Sequence, residues 1–385
     1  MQLLEKNIQH YHWGDYEYIP TLQGRVSGAD PEAELWMGAH PKSPSRALDT
    51  NQGLDELIAL NPDEALGEHA KDFNGELPYI MKILAIRSPL SLQVHPNEEQ
   101  ASAGFKDEAH LEKETKSYFS PRGKEEIVCA ITDTDIKFGF RSVSEINSIF
   151  ELATNEEFHH LQQILSQRNS EEALKEVIGK ILTYPPPLVQ SFAADILSSY
   201  TRNTVLSGSE ISYFGDLVEM YPADPGLVIF LMMNFLTLLP GESLYVPPRI
   251  THAYLHGNAV EITSNSDNVL RCGLTPKQID HNQYLAVSSF STTHPEIQRP
   301  IDTVHTYSSP TRFSLSRLDI EHSWEVTLNG PEILIATEGS FTITSGHGQS
   351  LHVDKGMPVW IPYSDKNYQI SGTCLIFRCA TQRVG

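Results

Sequence analysis

Apolar positions along the chain follow two periods, and the change between them divides it. From the start to about residue 140 the pattern alternates, with turns at Trp13-Gly14, Gly24 and Asn74-Gly75 and one short helical stretch near Leu54 to Leu60. LPYIMKILAI (77–86) and LSLQVHPN (90–97) read as consecutive strands split at Arg87-Ser88-Pro89, and KEEIVCAIT (124–132) and IKFGF (136–140) as two more. Between Pro96 and Glu125 the chain turns polar and charged, with short helical possibilities and no core signal, which predicts a surface loop or lid. From Ser144 to about Leu236 the period becomes 3.6. Leu174, Val177, Ile178, Ile181 and Leu182 mark one helix face behind a Ser170-Glu171-Glu172 start, and Phe158, Leu161 and Leu165 mark another. Pro185-Pro186-Pro187 separates these from a helix over Leu188 to Tyr200. Strand character returns at Gly241 and, after a mixed bend near 280 to 310, runs to the C-terminus through FSLSRLDI, EILIATEGSFTI, MPVWIP and TCLIFRC.

A weak internal repeat refines this picture. Gly241, Pro247 and Gly257 recur at the same offsets as Gly356, Pro362 and Gly372. Gly-turn, strand, Pro, polar turn, strand, Gly is the cadence of a cupin-like jelly roll. The first copy carries His252 where the second has Asn367, so only the first offers an imidazole. The expected fold is mainly β with an inserted α-helical domain and two cupin-like barrels. Residues 1–142 plus 237–285 form the equipped, discontinuous unit, 143–236 the helical domain, and 286–385 the degenerate unit.

Composition bounds the partners. A formal net charge of −21 over 385 residues argues against nucleic acid and anionic membranes, which need a clustered basic surface. An anionic substrate then has to meet a local basic patch. Cys129, Cys272, Cys374 and Cys379 show neither metal spacing nor a disulfide framework. MQLLEKNIQHYHWG lacks the order of a secretory leader, and the apolar run Leu227 to Leu239 is too short to span a bilayer, so a cytoplasmic setting and a monomer are expected.

Gln93 and His95 stand at i and i+2, on one face of a strand and about 6–7 Å apart. With Glu126 and His252 they make a mixed N/O donor set suited to zinc, manganese or iron. Each alone has a plainer reading: a charge run for Glu126, a backbone-satisfied turn histidine for His252, and a turn residue for His256. Lys82, Lys124, Arg271 and Lys277 lie on or beside the same strands and either meet an anion such as phosphate or pair with Glu261, Asp267 and Glu126. Glu261 reads as a general base or as the ion-pair partner of Arg271, and spacing leaves both open.

AELWMGAHPKSPSRA (33–47), LPYIMKILAIRSPLSLQVHPN (77–97) and THAYLHGNAVEITSNSDNVLRCGLTPK (251–277) resemble the signature segments of the type I phosphomannose isomerases, zinc enzymes with two cupin-like domains and a helical one. The resemblance implies that Gln93, His95, Glu126 and His252 are metal ligands. It implies that Arg271 is catalytic or substrate-binding, and that Glu261, Lys82, Lys124, Ser91 and Lys277 line the pocket. The implied reaction interconverts mannose 6-phosphate and fructose 6-phosphate through a cis-enediol. Arg271 would stabilise the enediolate, Glu261 or Asp267 would move the proton, and Lys82, Lys124 and Lys277 would contact sugar and phosphate. Two departures stand out. Gly123-Lys124-Glu125-Glu126 replaces the family's usual His-Lys-Pro-Glu, so an imidazole sometimes assigned to proton movement is missing, and ITSNSDN replaces a segment that usually carries Met-Ala. Rival readings are an iron cupin dioxygenase, disfavoured by the Gln and the basic pocket, a non-catalytic sugar-phosphate sensor, and an isomerase of a related phosphorylated sugar.

Overall fold

The computed structural model describes residues 1–168 and 170–382. Its architecture is mainly β, with two sheets and a block of helices. The larger sheet runs in the order Ile297–Gln298, Ser243–Val246, Glu126–Ala130, His252–Ser264, Tyr79–Ile86, Glu34–Gly38, Ile8–Gln9, with Leu92–Val94, Leu270–Gly273, Thr134–Phe140 and Met233–Leu238 branching from it. The smaller sheet is built around Glu332–Ser345 and Asn367–Thr381, flanked by Phe313–Ile320 and Val359–Ile361.

The strand His252–Ser264 holds the larger sheet together. Its first half pairs with Leu92–Val94 and Thr134–Phe140, and its second half with Tyr79–Ile86 and Glu126–Ala130. The register sets His252 opposite Gln93, Arg271 on the other side of Gln93, Glu261 opposite Lys82, and Thr263 opposite Glu126. Residues 159 positions apart thus become neighbours through one antiparallel ladder. His256 lies within this strand, exposed, rather than in a turn: a register shift between Tyr254 and His256 lets the strand run on through Gly257.

The helical block follows as Val143–Phe150, Glu156–Arg168, Glu171–Ile181, Pro186–Ser199, Gly208–Met220 and Gly226–Met232. Ser170 caps its helix by accepting from Ala173 N, and Leu174, Val177, Ile178 and Ile181 are buried. The proline run starts a helix one residue inside itself, since Pro186 stands at the first position, where a missing N–H costs nothing. The helical period was expected to extend to Leu236, but Met233–Leu238 is a strand on Thr134–Phe140. A nearly all-apolar run carries no clear period that separates buried strand from buried helix, and in the fold the Asn234 side chain ties the strand to its neighbour by donating to Phe138 O and Phe140 O.

Three further features sharpen the sequence reading. Pro96–Glu125 contains a ten-residue helix, Glu98–Asp107, capped reciprocally by Asn97 and Gln100. Gln2–Leu3 pairs with Val359–Trp360 in the smaller sheet, away from the rest of 1–142. Ile297–Gln298 pairs with Ser243–Leu244 in the larger one, away from the rest of 286–385. Each short strand covers a sheet edge that would otherwise leave a row of unpaired backbone groups. Between the sheets, Tyr79, Met81, Ile83 and Val260 pack in one core with Phe313, Leu315, Ile333 and Phe377. All eight residues of Tyr79–Ile86 are therefore buried. Among the described residues no helix is long and apolar enough to cross a membrane.

Candidate metal centre and active site

Where the larger sheet opens, a cleft of about 350 Å³ is walled by Lys82, Ser91, Gln93, Lys124, Glu126, Glu261, Asp267, Arg271 and Lys277. His95 and His252 lie fully buried at its floor. The residues singled out from the sequence therefore converge on one place.

His95, Glu126 and His252 present ligand atoms all within 4.8 Å of one another. His95 Nδ1–H donates to Asn268 O at 2.8 Å and His252 Nδ1–H to Ile250 O at 2.9 Å. Each ring therefore turns a bare Nε2 lone pair inward. His95 Nε2 has no hydrogen-bond partner, yet lies 3.0 Å from Glu126 Oε1; His252 Nε2 lies 3.4 Å from Glu126 Oε2. Acceptors that face each other at such distances need a cation or a proton between them. Burial, reinforced by Lys124 and opposed by Glu126, pushes the His95 pKa down to about 3, so a proton is not there at neutral pH. Burial also works against the charge on Glu126, but the adjacent Lys124 ammonium opposes it, and the carboxyl is held well below the usual range. Gln93 stands beside the three, its amide Nε2 donating to His252 Nε2 at 3.4 Å; as a fourth ligand it would present its Oε1 instead. Two neutral imidazoles, a buried carboxylate and a carboxamide fit a divalent ion of the zinc type. Lys124 Nζ, 2.9 Å from Glu126 Oε1, and Tyr254 Oη, donating to Glu126 Oε2 at 2.8 Å, fix the carboxylate from outside.

A second cluster centres on Lys82. Its ammonium donates to Glu261 Oε2 at 2.8 Å, stands 3.8 Å from Glu34 and lies 5.6 Å above the Trp36 ring. Glu261 is thus the partner of Lys82, not of Arg271 as one reading of the sequence had it, because the two strands place them directly opposite. Burial would lower the Lys82 pKa, but Glu261 and Glu34 override it and raise it. Burial raises the Glu261 carboxyl, against Lys82.

Asp267 belongs to a third group, with Lys42 Nζ at 2.8 Å and His40 Nε2 at 3.3 Å. Burial raises its pKa, yet these two donors bring it below the usual carboxylate range. Arg271 makes no ion pair or hydrogen bond among the described residues, and burial lowers its pKa. Lys277, over the Tyr11 ring at 5.9 Å, is lowered by burial and by Arg271. Half-buried Arg271 beside exposed Lys277 gives a chain of net charge −21 its free local positive patch. Tyr11, Glu34, Trp36, His40, Lys42 and Tyr254 had not been singled out. The signature segments contained most of them, but only the fold shows which face the cleft.

Gly123 packs where a Cβ would sit 2.6 Å from Glu98 N and 2.8 Å from Asn97 C. The loop before Lys124 therefore lies against the start of Glu98–Asp107, with Gly123 N donating to Glu98 Oε2 at 2.8 Å.

Comparison with known proteins agrees with this geometry. Residues 1–143 match the family model described as phosphomannose isomerase type I, catalytic domain. The mannose-6-phosphate isomerase of Shigella flexneri is 32% identical over 390 residues, 97% of each chain. The human mannose-6-phosphate isomerase is 32% identical over 299 residues, covering 71% of this chain and 69% of that one. Among solved structures, the apo form of mannose 6-phosphate isomerase from Salmonella typhimurium superposes with a TM-score of 0.90 at 30% identity, over 100% of this chain and 99% of that one. A mannose 6-phosphate isomerase bound with zinc and yttrium gives 0.90 at 30% identity over the whole of both chains.

Proposed function

Because the chain belongs to the phosphomannose isomerase type I family, we propose that it is a metal-dependent aldose–ketose isomerase that interconverts mannose 6-phosphate and fructose 6-phosphate. The observation that carries the reading is the pair of Nε2 atoms turned onto buried Glu126, that of His95 without a partner, beneath a cleft where Arg271 and Lys277 make no ion pair among the described residues. Gln93, His95, Glu126 and His252 would hold zinc, with manganese or iron as chemically allowed substitutes. Such an ion supplies Lewis acidity toward sugar oxygens, worth several kcal/mol by order of magnitude.

The chain's own residues divide the remaining work. The reaction moves a proton between carbon 2 and carbon 1 and builds charge on the neighbouring oxygens as the enediol forms. Glu261 suits the base: buried and raised in pKa, it binds a proton more readily than Asp267, whose carboxylate is already held by Lys42 and His40. Lys82 neutralises and orients Glu261, so it serves the base more than the phosphate. Arg271, whose guanidinium has no partner to release among the described residues, stabilises the developing oxyanion, and Lys277 and Ser91 take up the substrate's outer end. Lys124 screens the charge of Glu126 toward the sugar. The two sheets are read as two cupin-like units acting as a monomer, with the C-terminal one supporting the first. The domain limits 1–142 plus 237–285, 143–236 and 286–385 stand as the working division, modified by the two exchanged edge strands.

The test is mannose 6-phosphate isomerisation by purified protein before chelation, after it, and after zinc is restored. Activity lost and regained supports the reading. No turnover in zinc-replete protein, with tight binding of the sugar phosphate, would move it to a binding role.

A further inference from the structure

Asn268 sits at the junction of two parts of the site that no single segment connects. Its side chain is fully buried and all four of its hydrogen-bonding positions are filled. Oδ1 accepts from Phe119 N at 2.8 Å and Ser120 N at 3.0 Å, while Nδ2 donates to Ser120 O at 2.7 Å and Arg122 O at 2.9 Å. The same residue's carbonyl accepts from His95 Nδ1–H at 2.8 Å. One amide thus grips the loop that leads into Lys124 and Glu126, and one backbone oxygen sets the tautomer and tilt of His95.

We propose that Asn268 is a positioning residue that couples the Phe119–Lys124 loop to the orientation of His95, so that metal affinity and the pocket wall are set together. The proposal rests on the metal-dependent reading above. The loop takes all four side-chain bonds and His95 takes the backbone carbonyl, so a single residue serves both. The neighbouring hydroxyl of Ser266 reinforces the junction, accepting from Asn268 N at 3.4 Å and donating to Arg122 O at 2.9 Å. Asp267, adjacent in sequence, carries its carboxylate to Lys42 and His40 on the facing wall. Rotation of the Asn268 peptide would therefore disturb Asp267 as well.

The loop has a second, separate anchor. Glu108 Oε2 accepts from Ser117 N at 2.7 Å and Tyr118 N at 2.9 Å, and no bond joins it to His95. This gives a control. Asn268→Asp keeps the two acceptor bonds but sets a carboxylate oxygen against Ser120 O and Arg122 O, whereas Glu108→Gln keeps one oxygen for Ser117 N and Tyr118 N and removes the charge that strengthens those bonds, weakening the loop's other anchor alone.

The experiment measures zinc Kd by competition with a chromogenic chelator, together with kcat and KM, on folded wild type, Asn268→Asp, Asn268→Ala and Glu108→Gln. The expected result is zinc binding about ten- to a hundredfold weaker in both Asn268 variants: the carbonyl that holds His95 remains but is no longer fixed, and disturbing an outer partner of a ligating histidine usually costs that much. A fall in kcat should accompany it, while Glu108→Gln stays within about twofold of wild type in zinc Kd. Zinc Kd unchanged in the Asn268 variants, or weakened equally in Glu108→Gln, overturns the proposal. If neither Asn268 variant folds, Ser266→Ala reads the same junction: about a threefold loss of zinc affinity supports the coupling, on the same outer-partner argument, and none overturns it. Wild-type protein that neither binds zinc nor turns over overturns the isomerase reading and this one with it.

Discussion

Glu210 offers the cleanest quantitative test of how the helices are fastened to the sheet. It is fully buried in Gly208–Met220 and meets two cations from the larger sheet's side, Lys137 and Arg141. Arg141 Nη2 donates to Oε2 at 2.8 Å and Nη1 to Oε1 at 3.0 Å. Burial disfavours its charge, but Lys137 and Arg141 hold its carboxyl below the usual range. In Glu210→Gln both cations lose their counter-charge. Lys137, which burial pulls down to about 7 even against Glu210, can shed its proton and keep its place over Phe230 at 4.2 Å. Arg141 cannot, and is left buried with only neutral acceptors, Leu231 O and the amide oxygen of the new side chain. Breaking a buried ion pair from one side costs about 3–5 kcal/mol. With unfolding entropy proportional to length, about 4 kcal/mol lowers Tm by about 5 °C if the whole chain melts together, and by about 20 °C for a helical segment of about 90 residues that opens first. Calorimetry distinguishes the two. Replacing all three residues with apolar ones of similar volume should recover most of the loss. A Glu210→Gln melt within about 1 °C of wild type would refute the argument that this network is desolvated and paired.

What was legible in the sequence was whatever a short segment expresses by itself. Ser170-Glu171-Glu172 carries its own cap, Tyr79–Ile86 its own apolar continuity, and Gln93 and His95 share a face because a strand alternates. The four metal-site candidates converge because each lies on or beside a strand whose register the hydrophobic pattern constrains. Pairings across the sheet were not legible. Nothing in ITSNSDN announces that Asn268 will hold the backbone of Phe119 to Arg122, since a buried asparagine and a turn asparagine look alike in a string. The partner of Glu261 was left open between several cations for the same reason: Arg271 is near it in sequence, but Lys82 is opposite it in the ladder. The Met233–Leu238 strand was hidden because an apolar run leading into a strand has no polar face from which to read a period. Gly123 looked like a lost imidazole. The fold shows a second aspect of it, a close approach between a loop and a helix start.

The base assignment is checked by kinetics: Glu261→Gln should lower kcat by at least about 100-fold and Asp267→Asn by less than about tenfold, and wild-type turnover in both would remove both from the role. For Asp267, whose folded pKa is depressed, the stability it contributes is fully present above its unfolded pKa of about 4 and is lost as pH falls through the lower folded value. The stability difference between wild type and Asp267→Asn should therefore be flat from about pH 5 to 7 and shrink below about pH 4; growth of the difference on acidification would contradict the pairing. Gly123→His asks whether the family's usual residue can simply be put back. Its Cβ would meet backbone atoms, Glu98 N at 2.6 Å and Asn97 C at 2.8 Å, not a flexible side chain, so the helix start or the Lys124 loop must move. Overpacking of that kind costs about 1–3 kcal/mol, and the movement falls on the segment that carries Lys124 and Glu126. Gly123→His should therefore melt lower and show kcat/KM no higher than wild type. A variant that melts like wild type and turns over faster would mean that the loop opens readily and that the chain is short of a proton-transfer group that Glu261 does not replace.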